Sequence, residues 1–153
     1  RVFPDAPIIF VLRDPRDACL SCFMQLFGNN EAMIHFSNMD STAQFYSAVM
    51  DLWNHYENVL DMRYFQYRYE DLVDEFENIV RPLIEFLGLE WEEGLLTYFD
   101  KKNVKFSSTP SYRDIAKPIY KRAKGRWHNY EKHIPEALEI LKPYIEQFGY
   151  NKD

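Results

Sequence analysis

Arg13 and Ser21 are the residues whose types and spacing most directly suggest chemistry. Arg13 follows the apolar run Ile8 to Leu12 and precedes Asp14-Pro15. A guanidinium at the carboxyl end of a strand, just before a helix, lies at the edge where open α/β sheets bind ligands. Its forked donors match a phosphate in a bidentate way. Ser21 stands seven residues past Asp14, two helical turns on and on roughly the same face, so its hydroxyl can meet the same anion. Taken singly, an Arg at a strand end is more often a surface charge, and a Ser in a helix usually carries no function. A second candidate lies far along the chain, where Lys121, Arg122, Lys124 and Arg126 crowd into six residues of a protein with net charge −6. Such a cluster suits a polyanionic ligand, and its bland alternative is a solvated basic helix face.

The elements that must position these residues follow from the pattern. Ile8 to Leu12 has no polar alternation and reads as a strand buried on both faces. Asp14 is placed to accept the first free amides of a helix, Pro15 suits its first position, and Asp17 adds a carboxylate to its first turn. This helix fades around Phe27-Gly28. Asn29–Asp40 reads as a loop with at most a short helix. A long amphipathic helix runs from Asp40 or Ser41 to about Leu60, with Phe45, Val49, Leu52, Trp53, Tyr56 and Leu60 as its apolar stripe. Met62–Tyr69 alternates aromatic with polar residues and forms a second strand, which feeds a helix over Asp71–Leu87 that Pro82 should kink or divide and Gly88 should cap. A short helix over Glu92–Phe99, a long loop over Lys101–Pro118 and a last helix over Pro135–Phe148 complete the chain. Strands alternating with helices imply an α/β fold with a parallel sheet.

Composition sets the outer bounds. The 153 residues suit a single domain, and 46% hydrophobic with 17% aromatic residues marks a globular protein. The negative charge excludes broad nucleic-acid binding, and no apolar run approaches the roughly 20 residues that span a bilayer. The two cysteines, Cys19 and Cys22, fall inside the first helix and read as core packing rather than as a redox or metal pair. As unpaired thiols they favour a reducing compartment such as the cytoplasm. His55 has no second ligand at helical spacing and reads as structural, and no cluster with metal-ligand spacing is present. The chain begins Arg1-Val2-Phe3 without Met, directly before a strand expected to be central. Only two clear strands are visible, so the sequence reads as an internal piece of something longer.

Three separated segments, LRDPRDACLS, RYEDLV at Arg68–Val73 and TPSYRDIAKPIYKRAKGRWHNY at Thr109–Tyr130, together resemble the sulfotransferases that use 3′-phosphoadenosine 5′-phosphosulfate (PAPS). The resemblance is closest to bacterial sulfotransferase domains associated with tetratricopeptide repeats, which are similar to protein-tyrosine sulfotransferases. It implies a P-loop-like α/β sheet flanked by helices, of which this chain holds the C-terminal portion. It also implies that Arg13 and Ser21 hold the 3′-phosphate, that Tyr69 approaches the nucleotide, and that Ser111 and Arg126 lie near the phosphosulfate, with Arg126 catalytic. The reaction implied is sulfuryl transfer from PAPS to a hydroxyl acceptor on a protein, sugar or small molecule, possibly a protein tyrosine, without a metal. The family's Gly/Ser/Thr-rich phosphosulfate loop and catalytic base do not occur here; by the resemblance they precede Arg1. Two other readings stay open: a P-loop-type nucleotide-binding kinase, and a non-catalytic sulfotransferase-like interaction module.

Overall fold

Two segments rich in β-branched and aromatic residues form the strands of the protein, β1 over Ile8–Leu12 and β2 over Tyr64–Arg68. The structure, a computed structural model, describes residues 5–25, 27, 30–100 and 123–151. The chain divides into two units, Arg1–Val11 with Arg63–Lys121, and Leu12–Met62 with Arg122–Asp153.

In the first unit β1 and β2 pair as a small parallel sheet, which the Ile8 amide opens by donating to the Arg63 carbonyl at 3.0 Å. Helices α1 (Pro15–Phe23) and α2 (Met39–Val59) belong to the second unit, and α3 (Tyr69–Asp74) and α4 (Phe76–Phe86) follow β2. Phe65 of β2 packs on Phe86 of α4, with ring centroids 5.6 Å apart. The expected single helix over Asp71–Leu87 is thus two helices, and the break falls at Glu75 rather than at Pro82. Glu75 leaves the helical region at φ −136° and ψ 55°. Pro82 stays inside α4 on its exposed side, where water can satisfy the carbonyl that a proline leaves without an amide. Gly88 closes α4 as expected, at φ 71°. Its amide donates to Glu85 and that of Leu89 to Ile84, the paired bonds that a left-handed glycine makes possible at a helix end. The expectation of a first strand buried on both faces is corrected, because Ile9 and Val11 are 43% and 47% exposed. The described helices of this unit leave that face open. The short helix expected over Glu92–Phe99 is a 3₁₀ helix, Glu93–Asp100.

The second unit is helical. Helix α1 spans Pro15–Phe23, α2 Met39–Val59 and α5 Pro135–Gln147. Asp14 caps α1 by accepting from the Arg16 amide at 2.9 Å, with Pro15 at the first position as expected. The helix ends earlier than Phe27-Gly28, because the Gln25 amide turns back to Cys22 and tightens the last turn; Gly28 lies outside the described residues. The loop before α2 holds a 3₁₀ helix at Met33–Ser37, and Asn38 caps α2 by accepting from the Ser41 amide at 2.9 Å.

The core of this unit joins Cys19 and Leu20 of α1, Met39 and Ala43 of α2, Trp127, and Ile134, Ala137 and Leu141 around α5. Ala43 and Ala137 are fully buried, and their small side chains let α2 and α5 approach closely. The α2 face that meets α5 is not the expected apolar stripe. Tyr46 packs edge-on against Tyr144, the Tyr144 hydroxyl donates to Asp51 at 2.6 Å, and Asn54 and Gln147 exchange amide hydrogen bonds. Polar residues on this face find partners, whereas Val49, Leu52 and Tyr56 of the stripe are 42–49% exposed.

Candidate functional site

The segment Arg13-Asp14-Pro15-Arg16-Asp17 carries three buried charges, Asp14, Arg16 and Asp17, each less than 7% exposed. Charges are rarely buried without partners, and each of these has one. Arg16 forms a forked pair with Asp14, Nε to Oδ1 at 2.8 Å and Nη2 to Oδ2 at 2.6 Å. Nη2 also donates to the Tyr150 carbonyl at 2.9 Å, and the guanidinium lies 3.9 Å above the Trp127 ring. Tyr150 is presented by a second glycine cap, in which Gly149, at φ 71°, turns the chain after α5.

Asp17 spans to a distant stretch of sequence. Its Oδ2 accepts from the Gly125 amide at 2.6 Å and its Oδ1 from the Trp127 amide at 2.9 Å. Gly125 is in the left-handed region, at φ 68°, which an L side chain adopts only with strain. Burial raises the Asp17 pKa above its ordinary value, opposed by the two amides and by Arg13. From the sequence Asp17 is expected only to add charge to the helix terminus. In the structure its carboxylate instead fastens residues 125–127 to α1.

Arg13 follows β1 directly and is half-buried. Its Nη2 donates to the Ala123 carbonyl at 2.8 Å. Its charge acts on Asp17 and also lowers Cys22 against the upward effect of burial. Ser21 is half-buried one turn beyond Asp17 on α1. Arg126 opens a 3₁₀ turn, Arg126–Asn129. The stretch from 123 to 130 is therefore turn and 3₁₀ structure rather than a basic helix face; Lys121 and Arg122 lie outside the described residues. The Arg126 side chain is exposed, its Nη2 lies 3.1 Å from the Met24 sulfur, and among the described residues it forms no ion pair. Met24 also lines a cavity of about 440 Å³ with Leu20, Met39, Tyr130, His133 and Glu136.

Of the expected site residues, the structure thus gathers Arg13, Ser21 and Arg126 on two segments that are hydrogen-bonded to each other. Tyr69 begins α3 in the other unit. Ser111, with the loop Lys101–Pro118, lies outside the described residues. Cys19 is buried at Thr42 and its thiol is held well above the usual range by burial, as a core cysteine should be. His55 is exposed beside Tyr56. Among the described residues no group of three or more His, Cys, Asp and Glu is arranged to hold a metal ion, and no helix is long and apolar enough to cross a membrane.

Residues 1–93 match a model of the sulfotransferase family. That stretch contains Arg13, Ser21 and Tyr69 and ends before the turn that carries Arg126. The chain is also 28% identical over 146 residues to an uncharacterized protein of Aquifex aeolicus (strain VF5), a match that covers 92% of this chain. The chain spans 18% of that relative's length.

Proposed function

This chain belongs to the sulfotransferase family, and on that footing we propose that it binds PAPS and serves its sulfuryl transfer to a hydroxyl acceptor. The observation that carries the reading is the fastening of two segments. Arg13 donates to Ala123 and Asp17 accepts from Gly125 and Trp127, so the strand-to-helix turn and the residues around Arg126 form one surface.

The donors on that surface suit a nucleotide with phosphate at both ends. Arg13, half-buried beside the N-terminus of α1, grips the 3′-phosphate, and Ser21 adds a neutral donor from the same helix. Arg126, exposed and without an ion-pair partner among the described residues, is assigned to the 5′ side, where the resemblance also puts Ser111. The role of Tyr69 towards the nucleotide rests on the resemblance alone. PAPS would supply the activated sulfuryl group, with Arg13 and Ser21 holding its 3′-phosphate and Arg126 beside its 5′-phosphosulfate. The task of Arg126 is to stabilise the charge that grows on the departing phosphate, an interaction stronger in the transition state than in the ground state. The cavity beside Met24 gives the acceptor room next to Arg126.

The finer likeness, to tetratricopeptide-associated domains and to enzymes acting on protein tyrosine, rests on the segments LRDPRDACLS, RYEDLV and TPSYRDIAKPIYKRAKGRWHNY. In this reading residues 1–153 work within one sulfotransferase domain. Calorimetry on the full-length protein tests the proposal with three nucleotides. 3′-Phosphoadenosine 5′-phosphate is expected to bind at least tenfold more tightly than adenosine 5′-phosphate and than ATP with Mg²⁺. Equal affinities, or a preference for ATP with Mg²⁺, overturn it.

A further inference from the structure

The two amides that flank Arg126 are bound by one carboxylate. Gly125 donates to Asp17 Oδ2 at 2.6 Å and Trp127 to Oδ1 at 2.9 Å. The residue between them carries an exposed guanidinium that, among the described residues, touches the Met24 sulfur. No partner of opposite charge among the described residues fixes that guanidinium. Its position is set from the backbone, and the backbone on either side of it is held by Asp17.

The surroundings make this hold rigid. Asp17 is 1% exposed and lies in the first turn of α1, so its own backbone is fixed by the helix and by the Asp14 cap. Trp127 is 5% exposed, with the Arg16 guanidinium stacked 3.9 Å from its ring. Gly125 takes a left-handed conformation that turns its amide towards Asp17, and a Cβ there would also meet the His128 ring at 3.4 Å. Arg13 binds the carbonyl of Ala123, two residues before Gly125. The same five-residue run RDPRD therefore supplies both the candidate 3′-phosphate ligand and the anchor of the candidate 5′-side cation.

We propose that Asp17 is a positioning residue for sulfuryl transfer, one that holds Arg126 in register with Arg13 by binding the amides on either side of it. The proposal rests on the reading of Arg126 given above. A carboxylate is required because both of its oxygens must accept. An amide in its place would set an N–H against one of the two backbone donors, so Asp17→Asn releases one side of the hold.

The test uses the full-length protein as wild type, Asp17→Asn, Asp17→Glu, Arg126→Ala and the Asp17→Asn/Arg126→Ala double variant. Two quantities are read: hydrogen exchange of the Gly125 and Trp127 amides, and release of sulfate from PAPS into water, which needs no knowledge of the acceptor. Asp17→Asn is expected to speed exchange at these amides at least tenfold. It should lower kcat at least tenfold, with a smaller change in KM for PAPS. Added to Arg126→Ala, it should cost little more. Asp17→Glu keeps both acceptor oxygens and covers the case in which Asp17→Asn does not fold; it should retain the protection and lose kcat in part. Unchanged exchange, or a kcat loss of equal size with and without Arg126, overturns the proposal, since Asp17 would then act on the fold and not through Arg126. If the wild type binds no PAPS, the functional reading fails and the catalytic half of the proposal with it, while exchange still decides whether Asp17 holds the segment.

Discussion

Arg16→Met probes the packing on which the candidate site stands. In the wild type the Arg16 guanidinium is paired with Asp14 at 2.6 Å, donates to Tyr150 at 2.9 Å and covers the Trp127 ring. Both members of the pair are about 6–7% exposed at the side chain, so the substitution takes the counter-charge from a buried carboxylate. Methionine keeps much of the aliphatic stem over Trp127, and the loss is therefore mainly electrostatic. Breaking a buried pair from one side costs about 3–5 kcal/mol. For a chain of this size that corresponds to a fall in Tm of roughly 6–20 °C. Urea unfolding and thermal melts measure it. Asp14→Asn in the Arg16→Met background supplies the control, because asparagine keeps the helix cap and removes the stranded charge. The double variant should be more stable than Arg16→Met alone. A loss below about 1 kcal/mol for Arg16→Met, or a double variant less stable than the single one, refutes the argument that a stranded charge sets the cost.

Other outcomes follow from the same contacts. Burial holds the Asp17 pKa above 3.8 in the folded protein, so the folded state takes up the proton more readily than the unfolded one. The wild type should accordingly gain stability relative to Asp17→Asn as pH falls from above the raised midpoint through 3.8, with no further gain below it; denaturant midpoints across this range check the sign, and an opposite slope contradicts it. Arg126→Ala should lower kcat by roughly a hundredfold or more with a smaller effect on binding of 3′-phosphoadenosine 5′-phosphate. Lys124→Ala, also exposed, should have a small effect that fades with salt, and similar losses for the two would reduce Arg126 to one charge in a basic patch.

How much of this was legible in the sequence differs from element to element. The turn from β1 into α1 was legible because Asp14 and Pro15 are local signals whose physics needs no tertiary partner, and Gly88 ended α4 for the same reason. The working face of α2 was not. Apolar spacing marked Val49, Leu52 and Tyr56, but Ala43 allows the close approach to α5, and the polar Asp51 and Asn54 are accommodated by Tyr144 and Gln147. The α3–α4 break was assigned to Pro82, since a proline is visible in sequence whereas the bend of an ordinary Glu75 is not. In the candidate site, residue type and spacing mark Arg13 and Ser21, and the basic cluster marks Arg126, whereas Tyr69 and Ser111 come from the resemblance alone. Arg16 and Asp17 were missed as partners because a buried charge and a surface charge look alike in sequence. The available signal was the density of alternating charge in RDPRD, at a helix start whose next residues, Ala18, Cys19 and Leu20, are apolar.

Whether Arg13 reads a 3′-phosphate is decided by the affinity of the full-length wild type and Arg13→Ala for nucleotides with and without that phosphate. A charge-assisted bidentate contact is worth about 1.5–3 kcal/mol, or roughly tenfold to a hundredfold in affinity. Arg13→Ala should weaken 3′-phosphoadenosine 5′-phosphate by that factor and leave adenosine 5′-phosphate nearly unchanged. Equal losses for the two nucleotides would contradict it.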